Sequence, residues 1–181
     1  MLYFQQINER RTDLRKRIFA AIILAAALLA VFLTGCVTIP EQDAAERVDF
    51  DETGIDGERV EMKALSDKKV VMINFFETWC SPCMGELPAI ESLYEKYSGE
   101  GFMVIGVYSS SSQEDVKAAA QRLGITYPLI PVNGSLSKHQ TQYVPTTIFV
   151  DGTGALLRTS PEVGAKSEAA WEKIILELLG K

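Results

Sequence analysis

Two cysteines two residues apart, in Trp79-Cys80-Ser81-Pro82-Cys83, carry the most specific chemistry of this chain. Such a pair closes a small disulfide ring or supplies half of a metal site. A tetrahedral zinc or an iron–sulfur cluster needs further Cys or His ligands. The chain offers only Cys36, far upstream, and a single histidine, His139. A metal site is therefore not expected, and a redox pair remains. An inert buried disulfide is the alternative; C-x-x-C beside a strand–helix junction favours redox chemistry.

The elements that must position the pair are legible on both sides. Val70-Val71-Met72-Ile73-Asn74-Phe75-Phe76 is an apolar, β-branched and aromatic run, which predicts a buried strand. After Cys83, Leu87, Ile90, Leu93, Tyr94 and Tyr97 recur at helical spacing up to Gly99. The pair thus sits where a strand ends and a helix begins. A helix N-terminus presents unpaired N–H groups and the positive end of a dipole, which stabilise a thiolate. Cys80, the more N-terminal thiol, gains most and is the expected nucleophile, with a pKa below the free value of about 8.5. Pro82 suits a first helical turn, where its missing N–H costs nothing.

The stretch Phe75-Phe76-Glu77-Thr78-Trp79-Cys80-Ser81-Pro82-Cys83, followed by Glu86 and Pro88, resembles the TlpA/ResA-like branch of thioredoxin-fold thiol-disulfide oxidoreductases. The resemblance spans about residues 50–181, and Val144-Pro145-Thr146 supplies a second matching motif. It implies an extracytoplasmic, membrane-anchored protein. It also implies that Pro145 is cis and faces the disulfide, leaving the backbone of Val144 free to pair with an extended substrate. From the residues alone, a proline opening a strand is equally an edge residue.

Composition bounds the partners. At 181 residues, 47% hydrophobic and 23% charged, the chain suits one globular domain plus a targeting segment. The formal net charge is −6; residues 1–35 hold five basic and two acidic side chains, so the remainder carries −9. An acidic surface without a basic stripe excludes nucleic acid as an expected partner.

Residues 1–17 end in a basic cluster, Ile18 to Leu33 is an uncharged apolar run, and Thr34-Gly35-Cys36 follows. These are the parts of an export signal. Leu33-Thr34-Gly35-Cys36 resembles a bacterial lipoprotein box, which implies lipidation at Cys36. The alternative is an uncleaved anchor, although sixteen residues fall short of the roughly 20 that span a bilayer comfortably. Both place the C-terminal domain outside the cytoplasm. Residues 36–57 are acidic and lack a period, so we expect a loose tether there, with the thioredoxin-like domain over 58–181.

Within that domain we expect a short strand at Glu58–Met62, the central strand, the active-site helix and a strand at Phe102–Tyr108. A helix follows at Gln113–Leu123, capped by Ser112 and Asp115, then an extended piece at Tyr127–Pro131 and a short helix at Ser135–Gln142. The strand after Pro145 leads through an Asp151-Gly152-Thr153-Gly154 turn into Ala155–Thr159. The last helix, Ser167–Leu179, stripes Ala170, Trp171, Ile174, Ile175 and Leu178. This order predicts an α/β fold, a mixed central sheet flanked by helices, with one helix–strand unit more than a minimal thioredoxin between the cysteines and Pro145.

Minimal thioredoxins carry a buried acid six residues before the first cysteine. Here that position is Asn74, which accepts no proton. Glu77 and Glu86 are the alternatives. Glu77, at the strand end, serves Cys83 if desolvation raises its pKa; otherwise it faces solvent. Glu86 matches an acid of the branch, although a charge near a helix N-terminus would also explain it. Trp79, Ser81, Pro82 and Val144 are expected to shape the substrate surface.

The function expected is a protein disulfide reductase needing no cofactor beyond the Cys80–Cys83 disulfide. The resemblance implies envelope proteins with disulfides as substrates, apocytochrome c among them, and a membrane electron donor of the CcdA or DsbD type. Two alternatives belong to other classes. A thiol peroxidase shares the fold, but Phe76-Glu77-Thr78-Trp79 lacks the Thr and Pro arrangement before a peroxidatic cysteine. A non-catalytic envelope binding module would not need both thiols and the Pro145 motif.

Overall fold

A computed structural model describes residues 47–181. The apolar run Ile18–Leu33, Cys36 and the first part of the expected tether lie outside the described residues.

Strands β1 (Asp51–Thr53) and β2 (Arg59–Glu61) form an antiparallel hairpin. The central strand β3 (Val70–Phe75) leads into helix α1 (Ser81–Tyr97), then strand β4 (Phe102–Tyr108) and helix α2 (Gln113–Leu123). Strand β5 (Leu129–Pro131), the one-turn helix α3 (Gly134–Ser137), strand β6 (Thr146–Val150), strand β7 (Glu162–Val163) and helix α4 (Glu168–Leu179) complete the chain. The main sheet has the order β5-β4-β3-β6-β7. β3, β4 and β5 run parallel, while β6 and β7 are antiparallel to their neighbours. This is the expected mixed sheet of a thioredoxin-like fold.

All six residues of β3 are buried, because elements pack on both faces of the sheet at this central strand. Val70, Met72 and Phe76 point into one cluster with Leu87, Ile90 and Leu93 of α1, Val116 and Ala120 of α2, and Trp171 and Ile175 of α4. Val71, Ile73 and Phe75 point the other way, onto Val48, Phe50, Val60, Met62, Leu65 and Leu136. Helices α1, α2 and α4 thus cover one face. The other is covered by the N-terminal hairpin, the short turn at Met62–Leu65 and α3. Gly106 in β4 permits close packing: a Cβ there would overlap Leu129 Cδ2 and stand 3.2 Å from Phe76 Cε1.

Four expectations change. The domain does not start at Glu58. Val48 and Phe50 are 1% and 2% exposed, Val48 N–H donates to Gly154 O at 2.9 Å, and Met62 N–H donates to Phe50 O at 2.9 Å. The alternation of Val48 and Phe50 with Arg47, Asp49 and Asp51 was the period hidden in the acidic stretch. Helix α1 ends at Tyr97 rather than Gly99; a 3-10 turn over Ser98–Glu100 follows, and Gly101, at φ 93°, takes the left-handed position. The helix expected over Ser135–Gln142 is the single turn Gly134–Ser137, capped by Asn133 Oδ1 on Leu136 N–H at 2.9 Å. Ala155–Thr159 is not a strand. Asp151 Oδ1 accepts N–H bonds from Thr153 and Ala155, and only Leu156 bridges back, to Val150. Pro161 interrupts the path, and pairing resumes at Glu162–Val163 against Thr146 and Thr147.

Candidate active site

Cys80 is the N-cap of α1, and the first turn closes on it. Cys83 N–H points at Cys80 Sγ at 3.2 Å and Met84 N–H donates to Cys80 O at 3.0 Å. Pro82 lies in this first turn, as expected. The two sulfurs form a disulfide, with Cα atoms 5.2 Å apart. Cys80 is 6% exposed and Cys83 is not exposed at all. An incoming group therefore reaches Cys80 first. On reduction, a Cys80 thiolate would keep the Cys83 N–H and the helix end as stabilising dipoles.

The Val144–Pro145 bond is cis. Val144 O lies 3.6 Å from Cys80 Sγ, so the Val144-Pro145 segment flanks the disulfide. Ser81 and Pro82 are exposed beside the pair, and Trp79 is 68% exposed. Its indole N–H donates to Ser110 Oγ at 3.1 Å, so the ring is tethered while remaining open to solvent.

Behind the disulfide lies a buried polar group that β3, α1 and α4 assemble together. Glu86 is 3% exposed, one helical turn beyond Cys83. Its Oε1 accepts from Asn74 Nδ2 at 3.0 Å; its Oε2 accepts from Lys166 N at 3.0 Å and Trp171 Nε1 at 3.2 Å. Asn74 Nδ2 also donates to Thr147 Oγ1 at 2.9 Å, while its Oδ1 is buried without a partner. Burial pushes the Glu86 carboxyl above the ordinary glutamate range, against the opposing pull of these donors and of Lys166. Glu86 is thus the carboxyl of this site whose environment favours holding a proton. The tyrosine hydroxyl of Tyr127, also buried without a partner, is raised well above its ordinary value by burial and by Glu91 and Glu86.

Glu77 goes the other way, which corrects its expected part in proton transfer. It is 2% exposed, yet its carboxylate faces away into the loop after β4. Oε1 accepts from Ser109 N at 2.9 Å, Ser109 Oγ at 2.7 Å and Ser110 N at 2.9 Å; Oε2 accepts from Ser111 N at 2.8 Å and Ser111 Oγ at 2.6 Å. Burial raises its pKa, but these five donors outweigh it and hold the group at about 2. A carboxylate so satisfied is a poor partner for a thiol proton at neutral pH.

Sequence reasoning missed two exposed apolar side chains on the segments that flank Pro145: Tyr143, 60% exposed, and Val163, 49% exposed. An aromatic directly before Val144-Pro145 was the available signal for the first; nothing local marked the second. Among the described residues no group of three or more His, Cys, Asp or Glu side chains converges on a cation position.

The AhpC/TSA family profile matches residues 43–158. The thioredoxin-like protein YneN of Bacillus subtilis is 31% identical over 118 residues, 64% of this chain and 69% of that one. The thiol-disulfide oxidoreductase ResA of Bacillus anthracis is 27% identical over 152 residues, 82% of this chain and 87% of that one. Among solved structures, a thioredoxin-family thiol:disulfide interchange protein from Chlorobium tepidum superposes with a TM-score of 0.67 at 25% identity, covering 75% of this chain and 96% of the other. The fold of a DsbF homologue from Corynebacterium diphtheriae gives 0.63 over 74% and 86% of the two chains. With a cysteine pair at a helix N-terminus on this fold, the chain belongs to the AhpC/TSA family, as a TlpA/ResA-like thioredoxin-fold thiol-disulfide oxidoreductase.

Proposed function

We propose that this enzyme is an exported protein disulfide reductase, held to the extracytoplasmic side of a membrane through Cys36. The observation that carries the disulfide-exchange reading is the asymmetry of the pair: Cys80, 6% exposed, lies against the Val144 carbonyl, whereas Cys83 is fully buried; the reducing direction rests on the resemblance to the TlpA/ResA-like branch.

In the reduced enzyme the Cys80 thiolate attacks one sulfur of a substrate disulfide. The substrate S–S bond breaks, a mixed disulfide forms, and the leaving substrate sulfur takes a proton. Cys83 then loses its proton and attacks Cys80 Sγ. The mixed disulfide breaks, the second substrate thiolate leaves and is protonated, and Cys80–Cys83 is oxidised. Two electrons pass to the substrate, whose two sulfurs take up one proton from solvent and the equivalent of the one released by Cys83. Glu86, raised by burial and one turn from Cys83, is the group that receives the Cys83 proton in this scheme. Trp79, Ser81, Pro82 and the Val144 backbone form the surface on which an extended substrate segment lies. The redox-active disulfide is the only redox group the scheme needs.

The lipobox-like Leu33-Thr34-Gly35-Cys36 supports the anchor, and an envelope location supports a membrane electron donor of the CcdA or DsbD type and disulfide-bearing envelope proteins, apocytochrome c among them, as substrates. Insulin reduction with dithiothreitol as the electron source tests the activity. Dithiothreitol-dependent precipitation of the insulin B chain, accelerated by wild type and not by Cys80→Ala, is the expected result; equal rates for the two proteins would overturn it.

A further inference from the structure

Glu77 has a feature that proton transfer does not explain: it ties the loop before Cys80 to the serine loop after β4, and that loop in turn reaches the segment before Pro145. Its own loop carries Thr78, Trp79 and Cys80. Its five donors all come from Ser109, Ser110 and Ser111, in the loop between β4 and α2. Ser111 Oγ bonds back to Thr78, 2.9 Å from N and 3.0 Å from Oγ1. Ser110 Oγ holds the Trp79 indole. Ser109 Oγ accepts from Gln140 Nε2 at 3.1 Å, and Gln140 begins the segment that ends in Tyr143-Val144-Pro145. Thr141 Oγ1 and Thr146 Oγ1 in turn fix the Tyr143 carbonyl, at 3.0 and 2.7 Å.

Two of these loops carry exposed apolar side chains. Four large apolar side chains stand out among the described residues: Trp79, Tyr143, Leu157 and Val163. Three of them sit on chain segments joined to the pair or to Pro145. Trp79 precedes Cys80; Tyr143 precedes Val144, whose carbonyl touches Cys80 Sγ; Val163 pairs with Thr146, and the next N–H, of Gly164, donates to Pro145 O at 2.9 Å. Exposed apolar side chains gathered at one place mark a docking surface. Burying a carboxylate costs free energy unless donors replace its water. Here all the replacing donors lie at the rim of this surface, and none belongs to the core, so the carboxylate organises the rim.

We propose that Glu77 is a positioning residue for polypeptide substrates: through the serine loop it holds Trp79 and the Gln140–Val144 segment as a preformed apolar frame around the Cys80–Cys83 pair, and this frame favours disulfides flanked by apolar side chains in an extended chain over small disulfides. The proposal rests on the reductase reading above. Loops ordered in advance spare the complex the entropy of ordering them on binding. A small disulfide touches the sulfur but little of the frame, and gains little from it.

The test uses the full-length protein in detergent, with insulin as the polypeptide disulfide and 5,5′-dithiobis(2-nitrobenzoate) as the small one. Glu77→Gln keeps the shape but turns an amide N–H toward serine donors. We expect kcat/KM for insulin to fall roughly tenfold, mainly through KM, because a misplaced docking group weakens binding without touching the reacting atoms. The rate with the small disulfide should change less than about threefold under the same argument, and the reduction potential should match wild type. Ser110→Ala, which frees only the indole, should show the same split, smaller in size. Equal losses on both substrates would mean that Glu77 acts on the thiols, and wild-type insulin kinetics in a folded Glu77→Gln would mean that it serves the fold alone; either overturns the proposal. If Glu77→Gln does not fold, Ser110→Ala and Trp79→Ala decide, and wild-type KM for insulin in both overturns it. A wild-type protein that reacts with the small disulfide and leaves insulin intact overturns the reductase reading instead.

Discussion

Asn74 Nδ2 lies 3.0 Å from Glu86 Oε1, so the side chain standing where minimal thioredoxins bury an acid donates to the acid that α1 supplies. The carboxyl absent from the strand is supplied by the helix: Glu86 is 3% exposed and lies one turn beyond Cys83.

This relationship predicts what substitutions at Glu86 do. Because the folded-state pKa of Glu86 is raised by burial, its stabilising contribution is complete at low pH, below the ordinary glutamate range, and is lost as pH rises through the folded value. Glu86→Gln abolishes that loss, since a Gln amide can keep the Lys166 and Trp171 donors and offer its own N–H to Asn74 Oδ1, which now lacks a partner. Thermal midpoints across pH 4–8 should therefore be flatter for Glu86→Gln than for wild type, while insulin reduction slows. Glu86→Leu strands the three donors and should lose on the order of 3 kcal/mol. A difference in midpoint between wild type and Glu86→Gln that stays constant with pH across this range contradicts the assignment.

Glu77 has the opposite sign. Its folded pKa, about 2, lies below the ordinary 4.5, so its contribution is present above about pH 4.5 and is lost as pH falls toward 2. Urea unfolding of wild type should weaken over that acidic window, and Glu77→Gln should lose stability at neutral pH and show a smaller acid decline. Parallel acid declines in the two proteins would show that other carboxylates dominate.

The burial difference between the sulfurs predicts their division of labour. In the reduced protein, iodoacetamide should label Cys80 well ahead of Cys83 near neutral pH. Cys83→Ala should accumulate dithiothreitol-sensitive adducts with envelope proteins, because the thiol that resolves the mixed disulfide is gone, and Cys80→Ala should accumulate far fewer. Mass spectrometry of the trapped species identifies the substrates. Preferential labelling of Cys83 would reverse the assignment.

Gly106 predicts a packing defect away from the chemistry. The added methyl of Gly106→Ala meets Leu129 Cδ2 and two aromatic rings, from Phe76 and Tyr127. Chemical denaturation should register a loss of about 1–3 kcal/mol, typical of overpacking a filled core, with the disulfide's accessibility unchanged.

The anchor is tested by Cys36→Ser, which should release the protein from membranes or leave it as unprocessed precursor. A variant that fractionates and migrates like wild type indicates a signal anchor in place of a lipid.

Whatever rests on neighbours along the chain could be read directly from the residues. Cys80-Ser81-Pro82-Cys83 after an apolar run specifies a thiol pair at a strand–helix junction, because helix caps and strand periods are local properties. Val144-Pro145 could be matched to the edge beside it through family resemblance, and Ser112, Gly124 and Ser167 mark helix ends where they lie. Tertiary structure decided what depends on residues far apart in sequence. Glu77 and Glu86 are the same side chain nine residues apart. One meets Ser109, Ser110 and Ser111 and is held at about 2; the other meets Asn74, Lys166 and Trp171 and is raised. Burial is common to both, and the number of donors each carboxylate finds across the fold decides the direction. Likewise Val48 and Phe50 look like tether until the face of β3 opposite α1 needs covering, and Val163 becomes part of the docking rim only because β7 pairs with the strand that begins after Pro145.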